Sequence, residues 1–184
     1  MKPSLTRTTV RSMFILTSRK QAISRTLSFL LKYIQLAEGL SPEGGQRSME
    51  VPPMRGVDED MRRWSFYMIL EHNAIVNRSI SAITRQLVNG ETLSGAAAID
   101  PKKDVMPSES AGEEQLKLFR DSVTDHLEMI GGLGKLRGTK TAPHMIFGDF
   151  DAHKWNCMFY FHLGLHYKQA EYVINQLKLT DLSQ

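Results

Sequence analysis

The chain has 184 residues, a formal net charge of +3 and one cysteine, Cys157. This length is sufficient for one domain with its own hydrophobic core. No apolar run approaches the roughly 20 residues that a membrane-spanning helix needs. A single cysteine excludes a disulfide within the chain. We therefore expect a cytoplasmic protein, without a membrane partner, in which Cys157 is a buried structural thiol.

The first 37 residues carry only basic charges. Such a start resembles an organelle transit peptide, but the chain runs from Thr17 straight into an amphipathic helix, without an evident cleavage site. We interpret residues 1–16 as a retained basic N-terminal arm and residues 17–184 as a single domain. No basic patch interleaved with aromatic residues accompanies the charge, so we expect no nucleic-acid partner.

Hydrophobic periodicity predicts four helices, over residues 17–38, 58–87, 111–131 and 151–178. The apolar stripe of the first contains Ile23, Leu27, Leu30, Ile34 and Ala37. Ser110 and Glu113 form a capping-box pattern before the third helix, and Asp151 is placed to cap the last. Strand potential is weak, and the connections over residues 40–56 and 88–109 are long. The pattern indicates an all-α fold, a four-helix bundle with long crossover connections.

His162 and His166 lie four residues apart in the last helix and therefore on one face, one turn from each other. Such a pair can bind one divalent metal ion, although the spacing alone is a weak signal. The same face carries Trp155 and Met158, so the pair points into the core, where a polar group without a partner costs about 1–3 kcal/mol. A shared metal ion would satisfy both rings. A pair of core histidines with other partners is the alternative.

His72 is the histidine on the apolar face of the second helix, and we predict His72, His162 and His166 as metal ligands. Of the other histidines, His126 borders the stripe of the third helix, His144 lies in the loop before the last helix, and His153 should face water. Glu71 and Asn73 flank His72 but should point away from the core, so they are weak candidates for acid–base chemistry. The catalytic residues stay unassigned.

Three neutral imidazoles leave a coordination position open, which is typical of a catalytic site. Imidazole suits zinc, nickel, copper and iron alike, and we expect zinc or nickel. Because only neutral imidazole binds metal, affinity should fall below about pH 6.5.

These residues resemble the DinB/YfiT-like superfamily, four-helix bundles that hold a divalent metal ion with three histidines. The chain is most similar to a DinB-like bacterial subfamily of unassigned function, which has a His-Pro-x-Phe-Gly motif, a helix cap, a Trp and a His-rich run ending in Gln. Met145 replaces the Pro, and Leu165 stands where that subfamily often has an additional His. The matching residues are His144, Phe147, Gly148, Asp151, Trp155, His162, His166 and Gln169.

The superfamily includes thiol S-transferases and thiol-dependent isomerases, so the resemblance implies thiol transfer with a small-molecule thiol, and hydrolysis is a second possibility. Arg137 and Lys140 are weak candidates to bind the carboxylates of such a thiol, and ordinary solvated loop charge is the favoured explanation for them. A non-catalytic dimeric bundle with structural or vestigial histidines, acting through a protein partner, is the alternative function. We expect a homodimer in either case.

Overall fold

The computed structural model describes residues 5–91 and 104–181. Lys2 and most of the predicted second connection therefore lie outside the described residues. Within them the fold is mostly helical, as predicted, with one short 3₁₀ turn at Glu59–Met61 and one small sheet. The elements are α1 (Leu5–Leu16), α2 (Arg19–Ala37), α3 (Pro42–Gln46), α4 (Phe66–Val88), α5 (Glu114–Gly132), β1 (Thr141–His144), β2 (Gly148–Asp151) and α6 (Ala152–Asp181).

The four long helices surround the core. α4 packs against α5 and α6, and α2 packs against the same two helices, so each long helix has two long neighbours. Fully buried aromatic side chains fill the interior, and each contributes roughly 1.5–3 kcal/mol by burial; they include Phe14, Tyr33, Phe66, Phe119 and Phe159. Across residues 5–91 and 104–181, no helix has the length and apolar character that crossing a membrane requires.

Side-chain caps fix the start of three long helices. Ser18 and Gln21 form a capping box at α2, and Ser65 Oγ accepts the Met68 N–H at α4. Asp151 caps α6 as predicted, since its Oδ1 accepts the Lys154 N–H at 3.0 Å.

The predicted capping box of α5 is wrong. The helix begins at Glu114, its N-cap residue is Glu113, and that side chain makes no cap hydrogen bond. The Ser110 hydroxyl instead bonds that of Ser108 at 2.8 Å. A capping box also needs the cap residue in an extended conformation, and Glu113 is already helical.

The buried face of α2 differs from the predicted stripe. Leu27 is 45% exposed, whereas Thr26 and Tyr33 are buried. The helix buries polar Thr26 and amphipathic Tyr33, whose hydroxyl donates to the Leu163 carbonyl at 3.1 Å. Leu30 is buried, and Ile23, Ile34 and Ala37 pack against the core, so the predicted stripe is confirmed except at Leu27.

Residues 5–16 form α1, which packs on α6 and buries Phe14 in the core. Arg137 Nη2 holds the end of this helix by donating to the carbonyls of Ile15 and Thr17, both at 2.9 Å. The described part of the predicted N-terminal arm thus shares the core of the domain.

Between α5 and α6, where no strand was predicted, β1 and β2 form an antiparallel hairpin in which Thr141 pairs with Asp151 and His144 with Gly148. Gly148 has φ +74°, the left-handed conformation that a short hairpin loop requires and that glycine adopts without steric cost. The hairpin places His144 against Trp155 on α6, with ring centroids 5.5 Å apart.

Candidate metal centre

The structure brings the three predicted ligands together between α4 and α6. The ring centroid of His166 lies 4.6 Å from that of His72 and 4.6 Å from that of His162. The centroids of His72 and His162 are 5.1 Å apart. One ring nitrogen from each residue lies within 4.8 Å of the other two. His72 and His166 are buried, while the His162 side chain is partly exposed.

The spacing of the ring nitrogens suits a small metal ion. Nε2 of His72 lies 3.2 Å from Nε2 of His162. Two imidazole nitrogens bound tetrahedrally to one zinc ion at about 2.0–2.1 Å are about 3.3–3.4 Å apart. The two rings therefore fit a shared ion after a shift of a few tenths of an ångström.

A backbone carbonyl fixes the proton of His72. Its Nδ1 lies 2.7 Å from the Val105 oxygen, which can only accept a hydrogen bond. Nδ1 therefore carries the hydrogen and donates it, and in the neutral ring the lone pair is on Nε2. Glu71 holds the same segment, because its Oε2 accepts the Ser108 N–H at 2.8 Å.

A side-chain amide does the same for His166. Gln169 Nε2 donates to the Met61 carbonyl at 2.7 Å, so its Oε1 faces His166 Nδ1 at 2.9 Å. An amide oxygen only accepts, so Nδ1 of His166 must donate. In the neutral ring of His166 the lone pair is therefore on Nε2, as it is in His72.

His162 completes the set without a partner on its outer side. Its Nδ1 is buried and has no hydrogen-bond partner among the residues that the structure describes. If its Nε2 carries a hydrogen, it can donate to the Nε2 lone pair of His72 at 3.2 Å, which leaves the lone pair of His166 without that donor. A cation bound to all three Nε2 atoms would satisfy every lone pair in the cluster.

Burial also keeps the three rings neutral. Desolvation lowers the pKa of His72, lowers that of His162 well below its ordinary value, and lowers that of His166 to about 3. Repulsion between the rings lowers the pKa values of His162 and His166 further. Metal ligation needs neutral imidazole, so proton competition should begin at a lower pH than the 6.5 expected from the sequence.

His126 and His144 lie outside the cluster. His126 is buried, with Nδ1 2.8 Å from Ser81 Oγ and Nε2 3.1 Å from Asn156 Oδ1. His144 Nδ1 accepts the backbone N–H of Ile146 at 3.2 Å, which stabilises the hairpin loop.

The prediction that His153 faces water is wrong. The residue is 2% exposed, and its Nε2 lies 3.1 Å from the Phe14 carbonyl, because α1 covers this side of α6. Cys157 lies beneath the same helix, and burial raises the pKa of its thiol to about 12. The prediction of a buried thiol is confirmed.

The remaining candidates are dispersed. The bonds from Arg137 to the end of α1 commit its guanidinium there, and Lys140 is exposed just before β1. Asn73 is fully buried and donates to the Tyr33 hydroxyl at 3.2 Å, so its predicted orientation away from the core is wrong. Its helix is packed on more than one side, by α5 as well as α6.

No family model, curated protein or solved structure matches this chain. Among the described residues, three neutral imidazoles, two of them buried and one partly exposed, stand close enough to hold one metal ion.

Proposed function

We propose that this chain binds one divalent metal ion through Nε2 of His72, His162 and His166 and uses it in catalysis. The observation that supports this best is the pair of locked tautomers. The Val105 carbonyl and the Gln169 amide each take the Nδ1 hydrogen of a ring, which leaves a lone pair on Nε2 of two rings whose centroids lie 4.6 Å apart. Buried lone pairs without a donor are costly, and a metal ion removes that cost.

We propose thiol transfer as the reaction, with hydrolysis as the second possibility. A zinc or nickel ion with an open position lowers the pKa of a bound thiol or water and so supplies the nucleophile at neutral pH. The protein would hold the ion through three neutral ligands and exclude bulk water with the buried faces of His72 and His166. The partly exposed edge of His162 is where we place entry of a small thiol.

The proposal includes the DinB-like fold that the motif residues imply. The closed arrangement of α2, α4, α5 and α6 is consistent with a four-helix bundle. Carboxylate binding by Arg137 and Lys140 stays the weaker part, since Arg137 would have to release the end of α1. We also propose a homodimer, a bacterial origin and, from the single thiol and the composition, a cytoplasmic location.

Elemental analysis of protein purified without an affinity tag and without added metal tests the metal site, with about one ion per chain expected. Cobalt(II) substitution then separates the two reactions. Adding a small thiol should produce thiolate-to-cobalt charge-transfer absorption if thiols bind the ion. A spectrum unchanged by thiols would contradict thiol transfer and leave hydrolysis. A folded protein that binds neither zinc nor cobalt would favour the non-catalytic bundle.

A further inference from the structure

The buried amide of Gln169 connects the candidate metal centre to a segment 108 residues earlier in the chain. We infer that Gln169 is a positioning residue, which sets the tautomer of His166 by tying its ring to the Met61 backbone. The effect of Gln169 on zinc affinity rests on the proposed function. The tautomer itself is a property of the metal-free protein and can be measured without any ion.

The orientation of the amide is determined by its surroundings. Gln169 is 0% exposed, so water cannot substitute for either partner. Reversing the amide would set Oε1 against the Met61 oxygen, two acceptors with no hydrogen between them. The 2.7 Å bond to Met61 therefore also fixes the 2.9 Å contact between Oε1 and His166 Nδ1.

Loss of this amide would let the cluster close on itself. Nδ1 of His166 would lack an acceptor, and the ring would place its hydrogen on Nε2 instead. The ring of His72, whose centroid lies 4.6 Å away and whose own Nδ1 is held by Val105, offers an Nε2 lone pair to that hydrogen. The rings would then satisfy each other and compete with a metal ion. Removing an outer partner of a metal-bound histidine typically weakens affinity about 10–100-fold.

The same helix provides a matched control in Asn156. Its amide is 1% exposed and its Oδ1 lies 3.1 Å from Nε2 of His126, so it also forms an amide–imidazole pair inside the core. His126 does not belong to the cluster of three ligands. Asn156→Leu and Gln169→Met each replace a buried amide by an apolar side chain of similar size, but only the second touches a proposed ligand.

The first measurement is ¹⁵N NMR of histidine-labelled, metal-free protein. We expect His166 to carry its hydrogen on Nδ1 in the wild type and in Asn156→Leu, and on Nε2 in Gln169→Met. An unchanged His166 tautomer in Gln169→Met would overturn the inference. A tautomer switch in a protein that binds no zinc would support the inference while refuting the proposed function.

The second measurement is zinc affinity by competition with a chelator. Gln169→Met should bind zinc about 10–100-fold more weakly than the wild type, and Asn156→Leu should match the wild type. Gln169→Glu keeps an acceptor for His166 but sets a carboxylate against the Met61 carbonyl. It should therefore recover most of the zinc affinity while remaining less stable than the wild type. Equal weakening in Gln169→Met and Asn156→Leu, or no recovery in Gln169→Glu, would reduce Gln169 to a structural residue.

Discussion

His126 on α5 and His166 on α6 are both buried, but they differ in the partners of their two ring nitrogens. Both nitrogens of His126 already have side-chain partners, Ser81 and Asn156, and its ring is stacked on Phe159 at 3.7 Å. His166 uses one nitrogen for Gln169 and turns the other toward two more histidines. Burial lowers both pKa values, to about 4 and about 3. Burial therefore does not distinguish a candidate metal ligand from an ordinary core histidine, whereas a ring nitrogen without another side-chain partner does.

The largest expected difference between the two residues is in metal binding. His166→Ala should lose most of its zinc, because only two ligands remain, whereas His126→Ala should keep the wild-type stoichiometry. Zinc at 100 times its dissociation constant should stabilise a binding-competent protein by about 2.7 kcal/mol. Denaturant unfolding with and without zinc should show this gain in His126→Ala and none in His166→Ala. Equal losses in the two variants would remove the distinction.

The clustering of the three histidines could be predicted from the sequence because helical periodicity is a local property. The four-residue spacing places His162 and His166 on one face, and the apolar neighbours of His72 place it in the core. What fixes their tautomers could not be predicted. Val105 and Met61 contribute only their carbonyl oxygens, which every residue has, and each lies far along the chain from its partner.

Errors occurred where a helix is covered on more than one side. A helical wheel with one buried face sets His153 opposite His162, but α1 and the hairpin cover that side of α6 as well. Asn73 was misplaced for the same reason on α4. The all-α class followed from strong periodicity, whereas the hairpin consists of two four-residue strands that carry little periodic signal.

The two residues should behave alike in acid. Burial lowers their pKa values from 6.5, so between about pH 6.5 and pH 4 the unfolded chain binds protons that the folded chain does not. The free energy of unfolding of the metal-free protein should fall with decreasing pH, by up to about 1.4 kcal/mol per pH unit for each such histidine. Denaturant unfolding at pH 7, 6 and 5 measures this slope. His126→Gln should reduce it, and a slope equal to the wild type's would contradict burial of a neutral His126.

The smallest effect on zinc binding should come from Ser81, which contacts His126 and not the cluster. Its Oγ lies 2.7 Å from the Asn77 carbonyl and 2.8 Å from Nδ1 of His126, so its hydroxyl hydrogen can be donated to either acceptor. Ser81→Ala should cost about 1–3 kcal/mol of unfolding free energy, because it leaves the buried Nδ1 of His126 without a partner. Zinc affinity, measured by the same chelator competition, should not change. A weaker affinity would mean that the two regions are coupled.

X-ray absorption spectroscopy of the zinc-loaded protein tests the central claim most directly. We predict three imidazole nitrogens at about 2.0–2.1 Å and one further light atom in the open position. The buried thiol of Cys157, with its pKa raised to about 12, should contribute no sulfur. Fewer than three imidazoles, or a sulfur atom at about 2.3 Å, would contradict a centre built from His72, His162 and His166.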